Sequence, residues 1–355
     1  MMRAAITYGA RDIRVESIPV PITGPGEVVA QVEACGICGG DYSMHQVETQ
    51  GMHQLQNPVI GGHEVVGTII QCGLGSEGLS VGSRVVVSPN RPCRYCPTCR
   101  KGNAHLCPNR LAPDLSFGGG FAELIKVTSE QCYLLSESIS FVEATLVEPL
   151  ACCLHSLSRI SIKPGESVAI LGGGVNAQLF VQLSHISGAR RVTVIDNIPF
   201  RLQLAKALGA DEVLQVSSDG FPEVHQSLPE GADIIINTRG ATEYTRHAID
   251  LCATGGRILC YGVSKAGETV SIEPHLLWKK EIQLVGGRSF SDTFGSALQL
   301  ISSGRIKVDS LVTRSVNLEG YVENVSLVSR EHVKTVVLPK QADKKMRHEQ
   351  AFKIT

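Results

Sequence analysis

The sequence has almost no net charge: 33 Lys and Arg stand against 34 Asp and Glu, a formal charge of -1. Without a basic excess there is no long-range attraction for nucleic acid or for anionic lipid. No stretch approaches the ~18 apolar residues of a membrane-spanning helix. Met1 to Pro19 alternates charge with short apolar runs and lacks the apolar core of a signal peptide. Nothing repeats at a solenoid period. These absences argue against nucleic-acid and membrane partners and predict a cytoplasmic protein that acts on a small molecule. Cysteine is plentiful, 12 in 355 residues, yet disulfide scaffolds belong to short secreted chains. Here four cysteines are clustered and the rest dispersed, which predicts reduced, partly metal-bound thiols. With 43% hydrophobic and 19% charged residues, the chain can bury cores for about two domains of roughly 150 residues each.

The most specific pattern present is Cys93-Arg94-Tyr95-Cys96-Pro97-Thr98-Cys99 followed by Cys107. Four thiolates this close can wrap one tetrahedral zinc and leave it no open position, which makes a structural site. Iron–sulfur ligation also uses four cysteines, but its familiar spacings differ. His105, two residues before the last thiolate, is read as a bystander.

A second set is split along the chain. Cys35-Gly36-Ile37-Cys38-Gly39-Gly40-Asp41 falls in a predicted loop after the strand Glu27 to Cys35, and Gly61-Gly62-His63-Glu64 follows about two dozen residues later. Together they offer thiolate, imidazole and carboxylate, the ligand mixture of a catalytic zinc. By itself Cys35/Cys38 also suits a redox dithiol or half of a structural site. Glu148, in Leu146-Val147-Glu148-Pro149-Leu150, is a carboxylate in apolar surroundings and so a candidate ligand, or else a helix-start carboxylate.

From Arg3 to about Val87, short Val/Ile-rich runs separated by Gly, Pro and Asn indicate a β-rich domain, and Ala122 to Val127 reads as a further strand. From Pro164 the pattern changes to alternating strands and helices. Strand Ser167 to Leu171 leads through Gly172-Gly173-Gly174-Val175-Asn176-Ala177 into a helix, Asn176 to Ser187, and then strand Val192 to Ile195 ends at Asp196. This is a βαβ unit with G-x-G-x-x-A, whose backbone can approach a pyrophosphate. Asp196 stands at the distance expected of a carboxylate that binds both ribose hydroxyls, which favours NAD(H) over NADP(H); a turn-capping role is the alternative. Arg201 lies nearby, and Val263 and Arg288 complete the candidate cofactor set. Helices Phe200 to Leu208 and Glu243 to Ala253, with strands Glu212 to Val216, Asp233 to Asn237 and Arg257 to Tyr261, predict an α/β doubly wound parallel sheet. Helix Thr293 to Ser302 and a last strand from Lys334 to Leu338 are expected to return to the first domain. The domains are therefore drawn at 1–150, 151–288 and 289–355, the last ending in a polar tail.

The order GICGGD, GGHE, CRYCPTC…C, VEPLACCLHSL, a glycine turn and VID resembles the zinc-dependent medium-chain dehydrogenase/reductase family over nearly the whole chain. The glutamate of VEPLA makes it most similar to the sorbitol, arabinitol and threonine dehydrogenase branch. The resemblance implies a GroES-like catalytic domain, a Rossmann domain, two zinc ions per chain, NAD(H), a homodimer or homotetramer, and hydride transfer from a secondary alcohol such as a polyol, sugar or sugar acid. It also implies that Cys38, His63 and Glu64 face the catalytic zinc, that Glu148 lies at or just beyond them, and that Asp41 orients His63. Cys93, Cys96, Cys99 and Cys107 would hold the structural zinc. Three departures stand out. Gly40 replaces the Ser or Thr that starts the proton relay, Ser43 replaces a frequent His, and Val175-Asn176 replaces the usual Pro-Ile/Val. Ser43, His45 or water on Glu148 are the candidate substitutes in the relay. An aldehyde or ketone reductase of the same fold, or a dinucleotide-binding protein without catalysis, are the alternative functions.

Overall fold

The computed structural model describes residues 1–46, 58–111, 118–216, 221–325 and 332–340, with the side chains of 44–46 excepted. The imidazole of His45, Phe117 and the tail 341–355 thus lie outside the described residues. The chain forms two compact units. One comprises Met1–Glu148, Leu298–Ser303 and Val308–Thr355, the other Pro149–Ala297 and Gly304–Lys307. All twelve cysteines are free thiols. No helix among the described residues is long and apolar enough to cross a membrane.

The first unit is β-rich. Its strands are β1 (Met2–Gly9), β2 (Asp12–Ile18), β3 (Glu27–Gly36), β4 (Val59–Ile60), β5 (Glu64–Cys72), β6 (Arg84–Val87), β7 (Leu124–Thr128) and β8 (Cys132–Leu134). In the second unit β9 (Ser167–Leu171), β10 (Arg191–Asp196), β11 (Glu212–Gln215), β12 (Ala232–Asn237), β13 (Cys252–Cys260) and β14 (Gln283–Gly286) form a parallel sheet of order β11-β10-β9-β12-β13-β14. The chain then returns to the first unit with β15 (Val312–Val316) and β16 (Lys334–Val337). These two extend a seven-stranded sheet of order β15-β16-β3-β5-β6-β8, in which β7 also pairs with β3.

β3 organises the first unit because most of its residues are buried and both its edges are paired. Val28, Ala30 and Val32 sit in a core with Val65, Ile69, Val85, Ile125 and Phe121. Its register positions the chemistry. Gly36 lies opposite Glu64 on β5 and opposite Val336 on β16, so three strand ends from distant parts of the sequence meet at one place. The stretch after β3 departs from the expected loop: Gly39–Gln46 is a helix, and Asp41 in its first turn accepts a 2.8 Å hydrogen bond from the backbone N–H of Cys38. A carboxylate there satisfies an N–H group at the helix start, which offsets the poor propensity of two glycines.

In the second unit the apolar runs of β9, β10 and β12 are buried on both faces, as a parallel sheet requires. Helices Pro222–Ser227 and Thr242–Leu251 contribute Val224, Tyr244, Ala248 and Ile249 to one core with Leu171, Ile195 and Ile235. The second of these helices stops at Leu251, two residues short of the expected Ala253, because Cys252 already enters β13 and pairs with Ala232.

Candidate functional site

The four-cysteine loop is closed at its base by a pair of backbone hydrogen bonds between Arg91 and Leu111, of 3.1 and 3.0 Å. Pro97 starts a one-turn helix, Pro97–Arg100, that swings Cys99 toward Cys96, while Arg94 takes a left-handed backbone, φ 64°. One sulfur from each of Cys93, Cys96, Cys99 and Cys107 lies within 4.8 Å of the others. Three of the separations are 3.5, 3.9 and 4.0 Å. A tetrahedron of Zn–S bonds of about 2.3 Å has edges of roughly 3.8 Å, so the four thiols match a zinc ion. Their proton chemistry matches as well. Burial pushes Cys93 up, but N–H groups of Cys96 and Tyr95 and the neighbouring thiols pull it down to about 6. Burial and the thiols of Cys96 and Cys107 push Cys99 up to about 12. A dication among the four sulfurs would favour the thiolate of Cys99. His105 is buried in the adjoining turn and is not one of the four donors.

The second donor set forms where the three strand ends meet. Cys38 lies just beyond β3 and His63 just before β5, and the Gly36–Glu64 register brings them side by side. Donor atoms of Cys38, His63 and Glu64 lie within 4.8 Å of one another. Glu148 is buried at the start of the helix Val147–Ser158 and stands outside this trio. Asp41, 3% exposed, accepts the Cys38 N–H through one oxygen, and its other oxygen sits 3.9 Å from where a Cβ on Gly61 would stand.

Sequence reasoning missed Lys334. Its ammonium, on β16 and fully buried, makes an ion pair with Glu64 and donates a 2.9 Å hydrogen bond to the carbonyl of Ile37. Burial lowers the pKa of Lys334, but Glu64, Cys38 and Glu148 outweigh burial and hold it above the ordinary lysine value. Gly36 makes the pair possible, since a Cβ there would overlap the Glu64 carboxylate and come within 2.9 Å of Lys334 Cε. The only signal in the sequence is a lysine heading a short, Val-rich strand.

The relay candidates are placed less favourably. Ser43 Oγ donates to the Gly39 carbonyl at 3.0 Å on an exposed helix face. Among the described residues a Cβ on Gly40 would find only Cys38 Sγ, at 4.0 Å.

In the second unit Gly172 has φ +100°, a conformation that favours glycine, and the turn delivers the chain into the helix Val175–Ile186 through Gly174. Asp196 is buried at the end of β10. One of its oxygens accepts from the Gly173 N–H at 2.6 Å and the other from the Ile198 N–H at 2.8 Å, so it shapes the glycine turn and also caps its own. Two guanidinium groups flank it. Arg239 approaches to 4.0 Å and its stem covers Gly172, while the Cβ of Arg201 packs against Gly173. Burial and Arg239 lower the pKa of Arg201, with Asp196 acting in the opposite direction. Arg239 was not among the expected residues. Asn176 places its side-chain oxygen 3.9 Å from the Cys153 thiol, which gives this unusual residue a packing partner. Val263 and Arg288 are exposed and follow the C-terminal ends of β13 and β14, the edge of the parallel sheet to which the glycine turn also belongs.

A parallel nucleotide-binding sheet, joined in one chain to a β-rich unit with a Cys/His/Glu donor set and a four-cysteine knuckle, defines a zinc-binding dehydrogenase. Residues 24–137 match the alcohol dehydrogenase GroES-like domain and residues 177–303 the zinc-binding dehydrogenase domain. The chain belongs to this family of oxidoreductases that act on alcohol groups. It is similar to D-arabinitol dehydrogenase 1 of Uromyces fabae, 30% identical over 93% of this chain and 95% of that one. It is also similar to a sorbitol dehydrogenase of Bombyx mori, 31% identical over 91% of this chain and 94% of that one. Among solved structures, one described as a zinc-binding dehydrogenase from Sinorhizobium meliloti 1021 bound to NADP superposes with a TM-score of 0.90 at 32% identity, covering 96% of this chain and 99% of that one.

Proposed function

We propose that this protein is a zinc-dependent dehydrogenase that moves hydride between NAD(H) and a secondary alcohol of a polyol, sugar or sugar acid. The observation that carries this reading is the convergence of Cys38, His63 and Glu64 at one strand junction. The names of the arabinitol and sorbitol dehydrogenases it resembles support the substrate class. Bound zinc supplies Lewis-acid polarisation of a substrate oxygen, and bound nicotinamide supplies the hydride acceptor. The protein's own residues do the rest. Cys38 as thiolate and His63 as neutral imidazole provide ligand atoms, and Asp41 fixes the Cys38 loop. Lys334 neutralises Glu64, which keeps the net ligand charge low and leaves the site electrophilic. With Ser43 bonded to its own helix and no hydroxyl at position 40, the released proton leaves through water in the space beside Gly40. Asp196 supports NAD(H): each of its oxygens keeps a second lone pair for a ribose hydroxyl, and its charge opposes a 2′-phosphate.

The four-cysteine set holds a second, structural zinc in this reading. We assign the protein to the cytoplasm on its twelve free thiols. We also assign it a homodimeric or homotetrameric state: the outer edge of β14 pairs with no strand among the described residues, and Trp278 is exposed nearby in sequence. The test is nicotinamide absorbance, in both directions, across polyols, sugars and sugar acids with the metal fully loaded. A silent panel sinks the assignment.

A further inference from the structure

Outside the two donor sets of the first unit, one more group of ligand side chains converges among the described residues, and it lies in the second unit. His225 comes from the helix Pro222–Ser227, and His247 and Asp250 come from Thr242–Leu251. The last two are spaced i, i+3 and so share a helix face. One donor atom from each of the three residues lies within 4.8 Å of the others.

The geometry is built on a rigid floor. The imidazole of His247 stacks on Phe221 with ring centroids 3.8 Å apart and planes 19° from parallel. Phe221 is itself buried and meets Tyr244 edge-on at 5.6 Å. This packing holds the His247 ring in place and leaves its Nδ1 buried without a hydrogen-bond partner among the described residues. A buried ring nitrogen without a partner has given up water and gained nothing in exchange, so a ring kept in that state calls for a reason.

We propose that His225, His247 and Asp250 form a third metal site, on the surface of the second unit, for a borderline divalent ion such as zinc. Two imidazoles and one carboxylate suit zinc, nickel or cobalt and not the hard cations magnesium and calcium, which take oxygen ligands. Three protein ligands leave a position for water. Donor separations of up to 4.8 Å exceed the roughly 3.3 Å of ligands on a tetrahedral zinc. Binding therefore draws His225 and Asp250 inward, which exposed side chains can do by changing rotamer. The site is weaker than the four-cysteine knuckle for that reason and is filled only when free metal is available. Its effect is mechanical: the ion ties the crossover helix between β11 and β12 to the one between β12 and β13.

The test uses the full-length enzyme, dialysed so that it keeps only tightly held metal and then titrated calorimetrically with zinc alone. The expected result is one further equivalent and a rise in melting temperature, with turnover unchanged. His225→Ala, at an exposed position that leaves the Phe221 stack intact, abolishes both the equivalent and the melting shift. Asp250→Asn weakens them. No uptake by the dialysed enzyme overturns the proposal. So does uptake that persists in His225→Ala, which would make the ion adventitious.

Discussion

The Lys334 ammonium is buried against the Glu64 carboxylate, with Cys38 close enough to raise its pKa further. An ion pair held this deep beside the Cys38, His63 and Glu64 donor set joins β16 to the proposed zinc ligands. Removing only the cation strands a buried anion, which costs about 3–5 kcal/mol. Lys334→Met should therefore destabilise the first unit strongly, while Lys334→Met with Glu64→Gln should cost less than the sum of the single changes. Additive losses in chemical denaturation would falsify the coupling. The pH dependence has a definite sign. A lysine pKa raised by folding contributes stability that is fully present below about 10.4 and lost as pH rises through the folded value. The wild type should lose more stability than Lys334→Met does as pH is taken above about 10.5.

In the proposed function, cofactor choice rests on Asp196 and its neighbour Arg239, 4.0 Å away. The carboxylate disfavours a 2′-phosphate, and the guanidinium, partly exposed, tempers that repulsion. Arg239→Ala should widen the preference for NADH over NADPH roughly fivefold, about 1 kcal/mol, which is the scale of an exposed ion pair. Fluorescence titration with both reduced cofactors measures the ratio. A ratio that stays constant or moves toward NADPH counts against Asp196 as the discriminating group.

What could be read from the chain alone was whatever lies close together in sequence. Cys93 to Cys107 and Gly172 to Asp196 carry their spacing with them, and the βαβ alternation from Ser167 onward defined the parallel sheet. Lys334 was out of reach because its partner is 270 residues away, and only the β16–β3–β5 register joins them. The helix at Gly39 is not legible in the sequence because two glycines argue against one, and the carboxylate that offsets them, Asp41, bonds the Cys38 N–H only once the turn has formed. Arg239 crosses the strand between its own and that of Asp196, a contact that exists only once β9 lies between β12 and β10.

The four-cysteine knuckle belongs to the first unit and the glycine turn to the second, so damage to one should leave the other working. Cys99→Ser should cost one tightly bound zinc. If the lost metal is worth about 3 kcal/mol, the melting temperature falls by roughly 6–12 °C. NADH affinity, measured by calorimetry below the transition, should not change. Full zinc content in Cys99→Ser contradicts the four-thiolate assignment, and lost NADH binding contradicts the independence of the two sites.

Gly40 gives the sharpest test of the proton route. Among the described residues a Cβ there meets nothing nearer than Cys38 Sγ at 4.0 Å, so the small side chain of serine is the substitution to make. Serine is also about 0.5 kcal/mol better than glycine inside a helix, so Gly40→Ser should fold at least as well as the parent. The new hydroxyl would stand beside the Cys38 thiol, in the space proposed as the proton's way out through water. Alcohol oxidation should then rise most at neutral and slightly acid pH, where water is the poorest acceptor, and the pH–rate profile should broaden toward acid. Reduction of the corresponding ketone, which needs a proton delivered, should rise less at the same pH because the solvent already supplies one. A parallel rise in both directions at every pH would point to a change in zinc affinity, and an unchanged profile would show that position 40 lies off the proton path.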